Sequence, residues 1–191
     1  MRRLRRTAFL LALLPACGGS DAPLADAGEG VDPCAAARGR MAAVVEERGV
    51  RDPGVLAAIG KVPRHAFVPE EARPLAYEDR AVDIGWKQTT SQPWIVAMLA
   101  ELAEIGPDAR VLEIGTGSGY GAAVLAELAG EVYTIEILEP LAAVARDTLA
   151  GLGYDNVHVR HGDGYAGWPE AAPFDAIVVT AAPPSTVPEP L

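Results

Sequence analysis

The sequence predicts an α/β domain built on a parallel sheet with helices on both faces, and three observations carry that prediction. From residue 110 onward, short apolar runs alternate with stretches of helical periodicity. The first of these runs, Val111-Leu-Glu-Ile114, ends in a turn with glycine at every second position, Gly115, Gly117 and Gly119, and an alanine-rich helical stretch follows at once. Strands separated by helices of this length need right-handed crossovers, which make neighbouring strands parallel. At 191 residues, half of them apolar, the chain is long enough for one domain with a sizeable core.

The N-terminus does not read as part of that fold. Arg2, Arg3, Arg5 and Arg6 precede a short apolar run from Ala8 to Leu14, and Leu14-Pro-Ala-Cys17 closes it. Residues 1–17 thus have the anatomy of an export signal, too short to span a membrane, with a lipobox-like end. A misassigned start codon would produce a similar pattern. Residues 18–39, rich in Gly, Ser, Asp, Ala and Pro, read as a flexible tether. If Cys17 carries lipid, Cys34 stands single; if the chain is exported without lipid, the two can form a local disulfide.

The domain proper, residues 40–191, begins with a helix from Arg40 to Arg48, where Met41, Val44 and Val45 recur at helical spacing before Gly49. Asp52-Pro53 opens a second helix through Ile59. Residues 61–92 hold many prolines and turn formers and read as an ordered, irregular segment. A helix from Pro93 places Ile95, Val96, Leu99, Leu102 and Ile105 on one face. Strands follow at 110–114, 131–137, 156–160 and 174–180, with helices at 119–129 and 139–150 stopped by Gly130 and Gly151. The sequence as given stops soon after the fourth strand. An apolar strand such as Ile177-Val-Val179 is then left at an open edge, so the last strands of the sheet are expected to be missing.

Charge narrows the function classes. A formal net charge of −10 argues against binding a phosphate backbone, which calls for a basic face. The glycine turn differs from the dinucleotide fingerprint, which would need glycine at Tyr120, and resembles the G-x-G-x-G loop of S-adenosylmethionine (AdoMet) methyltransferases. A nicotinamide oxidoreductase is the competing reading of the generic strand–glycine–helix pattern. Glu136, 17 residues after Gly119 at the end of the second strand of the alternating series, is placed to accept ribose hydroxyls. Asp163, between Gly162 and Gly164, sits in the turn after the third, where it can meet an adenine amino group or simply hold the turn. His158 and His161 are spaced to point to opposite faces of a strand and would not converge on a metal. Ser91, directly before a proline-led helix, reads from spacing alone as an N-cap.

Together, Val62-Pro-Arg-His-Ala-Phe-Val-Pro69, Ala76-Tyr-Glu-Asp79, Gln88-Thr-Thr-Ser-Gln-Pro93, the 111–120 loop, Gly162-Asp-Gly164 and Phe174-Asp-Ala-Ile-Val-Val-Thr-Ala-Ala-Pro183 resemble the protein-L-isoaspartate (D-aspartate) O-methyltransferase family. The resemblance implies a Rossmann-like class I methyltransferase fold, AdoMet as methyl donor, and isoaspartyl or D-aspartyl residues of damaged proteins as acceptors. It puts Ser91 at the active-site serine, reversing the N-cap preference, with Thr89, Thr90 and Gln92 beside the substrate. It gives Glu113, Gly115, Thr116, Gly117, Ser118, Gly119, Glu136, Asp163 and Gly164 to the cofactor, and implies no metal. Lys87 departs from it, standing where a glycine is usual. Because the last strands are expected to be absent, a non-catalytic AdoMet-binding or interaction module of the same ancestry is the alternative. The N-terminus predicts export, with membrane contact only through a lipid at Cys17, whereas the family default is cytoplasmic.

Overall fold

The computed structural model describes residues 32–181. The expected export signal with Cys17, most of the expected tether and residues from 182 onward lie outside the described residues. The first helix, α1 (Ala35–Glu47), begins earlier than its periodicity suggests, so residues 35–39 are helix rather than tether. Ala37 and Arg38 extend the buried face of Met41 and Val45 by one turn, and Arg38 Nε donates to the Gly60 carbonyl at 3.0 Å. That bond ties α1 to α2 (Pro53–Lys61), whose first turn is capped by Asp52 accepting from Val55 N at 2.9 Å. Cys34, at the head of α1, is buried.

The irregular segment proves to be organised around one side chain. Arg64 has no exposed surface, and its guanidinium donates to the carbonyls of Ala76 (2.7 Å), Arg80 (3.0 Å) and Ser91 (3.0 Å). Two 3₁₀ helices, Arg64–Phe67 and Glu70–Leu75, and an antiparallel hairpin of β1 (Val82–Gly85) and β2 (Gln88–Thr90) wrap around it. Strands this short, interleaved with proline, leave too few residues for a readable period, so the hairpin is absent from the sequence prediction. Its two-residue turn, Trp86-Lys87, has φ of 50° and 60°, the left-handed pair that such a turn requires and that non-glycine residues rarely adopt.

Helix α3 (Pro93–Leu102) corrects the predicted apolar face. Its buried residues are Pro93, Val96, Ala97 and Ala100, while Leu102 is 71% exposed. Small side chains let α3 approach α4 (Tyr120–Ala126), whose Ala122 and Ala123 are fully buried, and close approach wins over the larger leucine stripe.

The main sheet contains β3 (Arg110–Ile114), β4 (Glu131–Glu136), β5 (Val157–His161) and β6 (Ala176–Val179), all parallel in the order β5-β4-β3-β6. Val111, Val132 and Val178 share the face that packs into the main core with α4 and α5 (Glu139–Gly151). The prediction puts helices on both faces. Among the described residues the second face is instead covered by the 162–175 connection, where Tyr133 packs against Trp168 and Phe174. The order reverses direction beside β3, which opens a crevice at the carboxyl ends of β3, β4 and β6.

Two stability predictions follow from these contacts. Arg64→Ala strands one buried and two part-buried carbonyls and should lower unfolding free energy by about 3 kcal/mol in a urea titration. Lys87→Gly relieves one left-handed residue and should raise it by about 0.5–1 kcal/mol.

Candidate functional site

A cavity of about 310 Å³ opens at that crevice. Its floor is the turn after β3, where Gly115 has φ of +102° and a Cβ would stand 2.9 Å from Thr180 Oγ1 and Ala181. Glycine is therefore required on two counts, backbone conformation and the closeness of the strand end beside it. Thr180 Oγ1 in turn donates to the carbonyl of Ile114 or Gly115, at 3.0 and 2.7 Å, pinning the end of β6 to the turn.

Glu113 and Glu136 line the cavity from the ends of adjacent strands. Glu113 is 1% exposed, and Thr134 Oγ1 donates to its Oε2 at 2.6 Å. Because that hydroxyl proton is committed, Thr116 must be the donor in the 2.7 Å contact between the two threonine hydroxyls. Burial pushes the Glu113 carboxyl up to about 8; the Thr134 bond opposes this and the negative charge of Glu136 adds to it. Glu136 is held by two backbone donors, Gly117 N to Oε2 (2.8 Å) and Leu138 N to Oε1 (3.0 Å). Those bonds fix the carboxylate at the mouth of the cavity and leave each oxygen a further lone pair. Asp163 and Gly164 line the opposite lip; Asp163 Oδ1 accepts from Tyr165 N at 2.9 Å, so it does hold its turn.

The second wall comes from the hairpin and the start of α3, through Gln88, Thr89, Thr90, Ser91 and Val96. The N-cap reading of Ser91 is not what the structure has. Gln92 occupies the cap position without a side-chain cap, and the free N–H of Trp94 is met by Asp79 Oδ1 at 2.9 Å. Ser91 faces the cavity, held through its own carbonyl by Arg64. Two expected site residues lie elsewhere. Gln92 turns away to donate to the Asp79 carboxylate at 2.8 Å and backbone at 3.0 Å. Gly119 sits beneath the turn, where a Cβ would meet Leu149 of α5 at 3.2 Å, so it serves helix packing. Glu113, Gly115, Thr116, Gly117, Ser118, Glu136, Asp163, Gly164, Thr89, Thr90 and Ser91 do converge on the one cavity.

Sequence reasoning passed over Thr180, Ile137, Leu138, Leu141 and Tyr165, which also line it. Ile137 is 63% exposed, and an apolar residue directly after a strand-terminal glutamate was the available signal. His158 pairs with Glu131 at the other end of the sheet, and no group of metal-ligating residues forms among the described residues.

The electrostatics are one-sided. Three carboxylates line the cavity, and among the described residues no Lys, Arg or His does. Ser118 Oγ, which also lines it, is buried without a hydrogen-bond partner among the described residues. Such a site suits a ligand that brings positive charge, hydroxyl donors and a flat apolar group.

The family model for protein-L-isoaspartate(D-aspartate) O-methyltransferase matches residues 38–191. A protein-L-isoaspartate O-methyltransferase of Synechococcus is 62% identical over 158 residues, covering 82% of this chain and 64% of that one. The corresponding protein of Gloeobacter violaceus is 63% identical over 144 residues, 75% of this chain and 70% of its own length. Among solved structures, a protein-L-isoaspartate O-methyltransferase superposes with a TM-score of 0.67 at 33% identity, over 75% of this chain and 47% of that one. A Plasmodium falciparum protein assigned to the same methyltransferases, solved with S-adenosyl-L-homocysteine, shares the fold at 23% identity (TM-score 0.66). This chain therefore spans less than two thirds of the Synechococcus relative's length.

The cavity's tightest internal fit gives a prediction. A Cβ on Gly121 would lie 2.4 Å from Glu113 Oε1, so Gly121→Ala must displace the carboxylate or the first turn of α4. A loss of about 1–3 kcal/mol in thermal or urea unfolding is expected.

Proposed function

The chain belongs to the protein-L-isoaspartate(D-aspartate) O-methyltransferase family, and on the strength of its site we propose that it transfers methyl from AdoMet to the free carboxylate of isoaspartyl or D-aspartyl residues in damaged proteins. The observation that carries this reading is the acid-lined cavity facing a serine–threonine wall. The residues fit the cofactor: the glycine turn admits it closely, Ser118 has an unmet hydroxyl, and the carboxylates suit a cation bearing a ribose. Bound there, AdoMet supplies an electrophilic methyl group on a sulfonium.

The chain's own residues then have distinct tasks. Glu136, fixed by two backbone donors, accepts the ribose hydroxyls, and Ile137, Leu138 and Tyr165 cover the base beside Asp163. Glu113 faces the positive charge. Ser91, with Thr89 and Thr90, orients the acceptor carboxylate by hydrogen bonding rather than attacking as a nucleophile. An isoaspartyl carboxylate is already ionised at neutral pH, so no strong base is needed, and among the described residues no His or Lys lines the cavity. Alignment and exclusion of water supply the rate. The methyl ester closes to a succinimide with loss of methanol, and hydrolysis of the ring returns some normal aspartate.

We also infer that the N-terminal segment directs export, with a lipid at Cys17 as its anchor. The basic start, apolar run and lipobox-like end support this. Full-length protein recovered wholly in the cytosol with an uncleaved N-terminus would refute it.

Activity is tested by transfer of labelled methyl to an isoaspartyl peptide, with the normal aspartyl peptide as control. Base-labile label on the isoaspartyl peptide alone is expected; AdoMet binding without transfer would leave only a cofactor-binding module. The pH dependence is a second test. Glu113 is largely protonated below about pH 8 in the free protein, and a cation beside it favours the ionised form. AdoMet affinity should therefore rise with pH and level off above about 8, with proton release on binding at pH 7. Calorimetry in buffers of different ionisation enthalpy should detect the proton, and Glu113→Gln should abolish both effects.

A further inference from the structure

If the acceptor is a carboxylate, it meets an unfavourable field. The chain carries a net charge of −10, and the cavity presents Glu136 and Asp163 beside Glu113 and, among the described residues, no cation. A positive group is available at the rim, one residue before the Gln88–Ser91 wall. Lys87 is exposed at the hairpin tip, makes no ion pair among the described residues, and is held in a left-handed conformation that a glycine would adopt more readily. Beside it Trp86 is 50% exposed, the largest aromatic surface left open among the described residues. Two contacts hold the tip in place. Ile84 is buried, with its Cδ1 3.7 Å from where a Cβ on Gly117 would stand, so the hairpin leans on the glycine turn itself. Asp83, the one carboxylate in the hairpin strands, is occupied in closing the turn, accepting from Gly85 N at 2.7 Å.

We propose that Trp86 and Lys87 form the outer part of the acceptor site, and that they select damaged segments flanked by acidic residues. The inference rests on the methyl-transfer reading above. Lys87 supplies the attraction that the cavity lacks, and Trp86 supplies apolar area for the peptide beside it. The left-handed backbone aims two large side chains out of a tight turn where small ones would be easier to accommodate.

The test compares isoaspartyl peptides that differ only in acidic, neutral or basic flanks. For the native protein at low salt, the KM for the acidic peptide should be about three-fold below that for the basic one, a ratio that approaches one in about 0.5 M salt. Lys87→Gly should abolish the ratio. Lys61→Gln, which removes the same charge at the far end of α4 where Lys61 pairs with Glu127, should leave it intact. Since Lys87→Gly relaxes the backbone, unfolding would not account for its loss of preference. A ratio that survives Lys87→Gly, or is absent from the native protein, overturns the proposal. Anisotropy of the dye-labelled peptides with S-adenosylhomocysteine present separates the two readings. No transfer, but acid-preferring binding lost in Lys87→Gly, sinks the activity and upholds the surface; no transfer and no preference sinks both.

Discussion

A guanidinium with no exposed surface holds together the part of this chain that has least regular structure. Arg64 has no carboxylate in hydrogen-bond contact among the described residues; backbone carbonyls and the face of Tyr120, 5.3 Å away, surround it, with the charge of Asp79 acting at longer range. Burying a full charge on such terms is costly unless several dipoles converge on it, and the planar fork of arginine lets one side chain gather carbonyls from three separate stretches. Lysine, a point donor on a flexible stem, would not span them. Those stretches are the ends of the second 3₁₀ segment, the approach to the hairpin, and Ser91. The wall of the cavity opposite the glycine turn is therefore positioned from behind, by a residue that never touches it.

Asp79 completes the arrangement from the other side. Burial works against its charge, but the Trp94 N–H, Gln92 and Arg48 outweigh burial and hold its carboxyl below the usual range. Its carboxylate caps α3 from 15 residues upstream, a role that spacing assigned to Ser91. Freed from capping, Ser91 can face the cavity. The cavity thus has two walls built differently: one from strand ends and glycines, rigid through the sheet, and one from an irregular segment made rigid by Arg64 and Asp79.

What was legible in the sequence tracks how local its cause is. The strand bounds at 110–114, the helix opened by Asp52-Pro53 and the helix from Glu139 follow from neighbouring residues, and the structure matches them closely. So does the glycine turn, whose geometry is set within one strand–turn–helix unit, and so does Glu136 from its place at a strand end, whereas Glu113 entered only with the family resemblance. The failures are all non-local. The hairpin depends on Arg64 reaching across 27 residues to Ser91, and the exposed Leu102 depends on how closely two alanine-faced helices approach. Gly119 and Gln92 look like site residues in a linear motif, but a neighbouring helix claims one and Asp79 the other.

Under the methyl transfer proposed above, the same geometry bears on how two oppositely charged reactants would share one cavity. The buried Glu113, hydrogen-bonded to Thr134 with Thr116 behind it, has its carboxyl pushed up to about 8, and a bound cation would favour its ionised form. On that reading the charge Glu113 gains offsets that of the sulfonium, so cofactor binding adds little net charge to the field an incoming carboxylate meets. Neutral hydroxyls then suffice on the Ser91 wall, where a fixed cation would compete for the carboxylate lone pairs that must attack. A positive group is more useful farther out, where it guides approach without binding the reacting oxygen. Lys87, at the rim and outside the cavity lining, has that position.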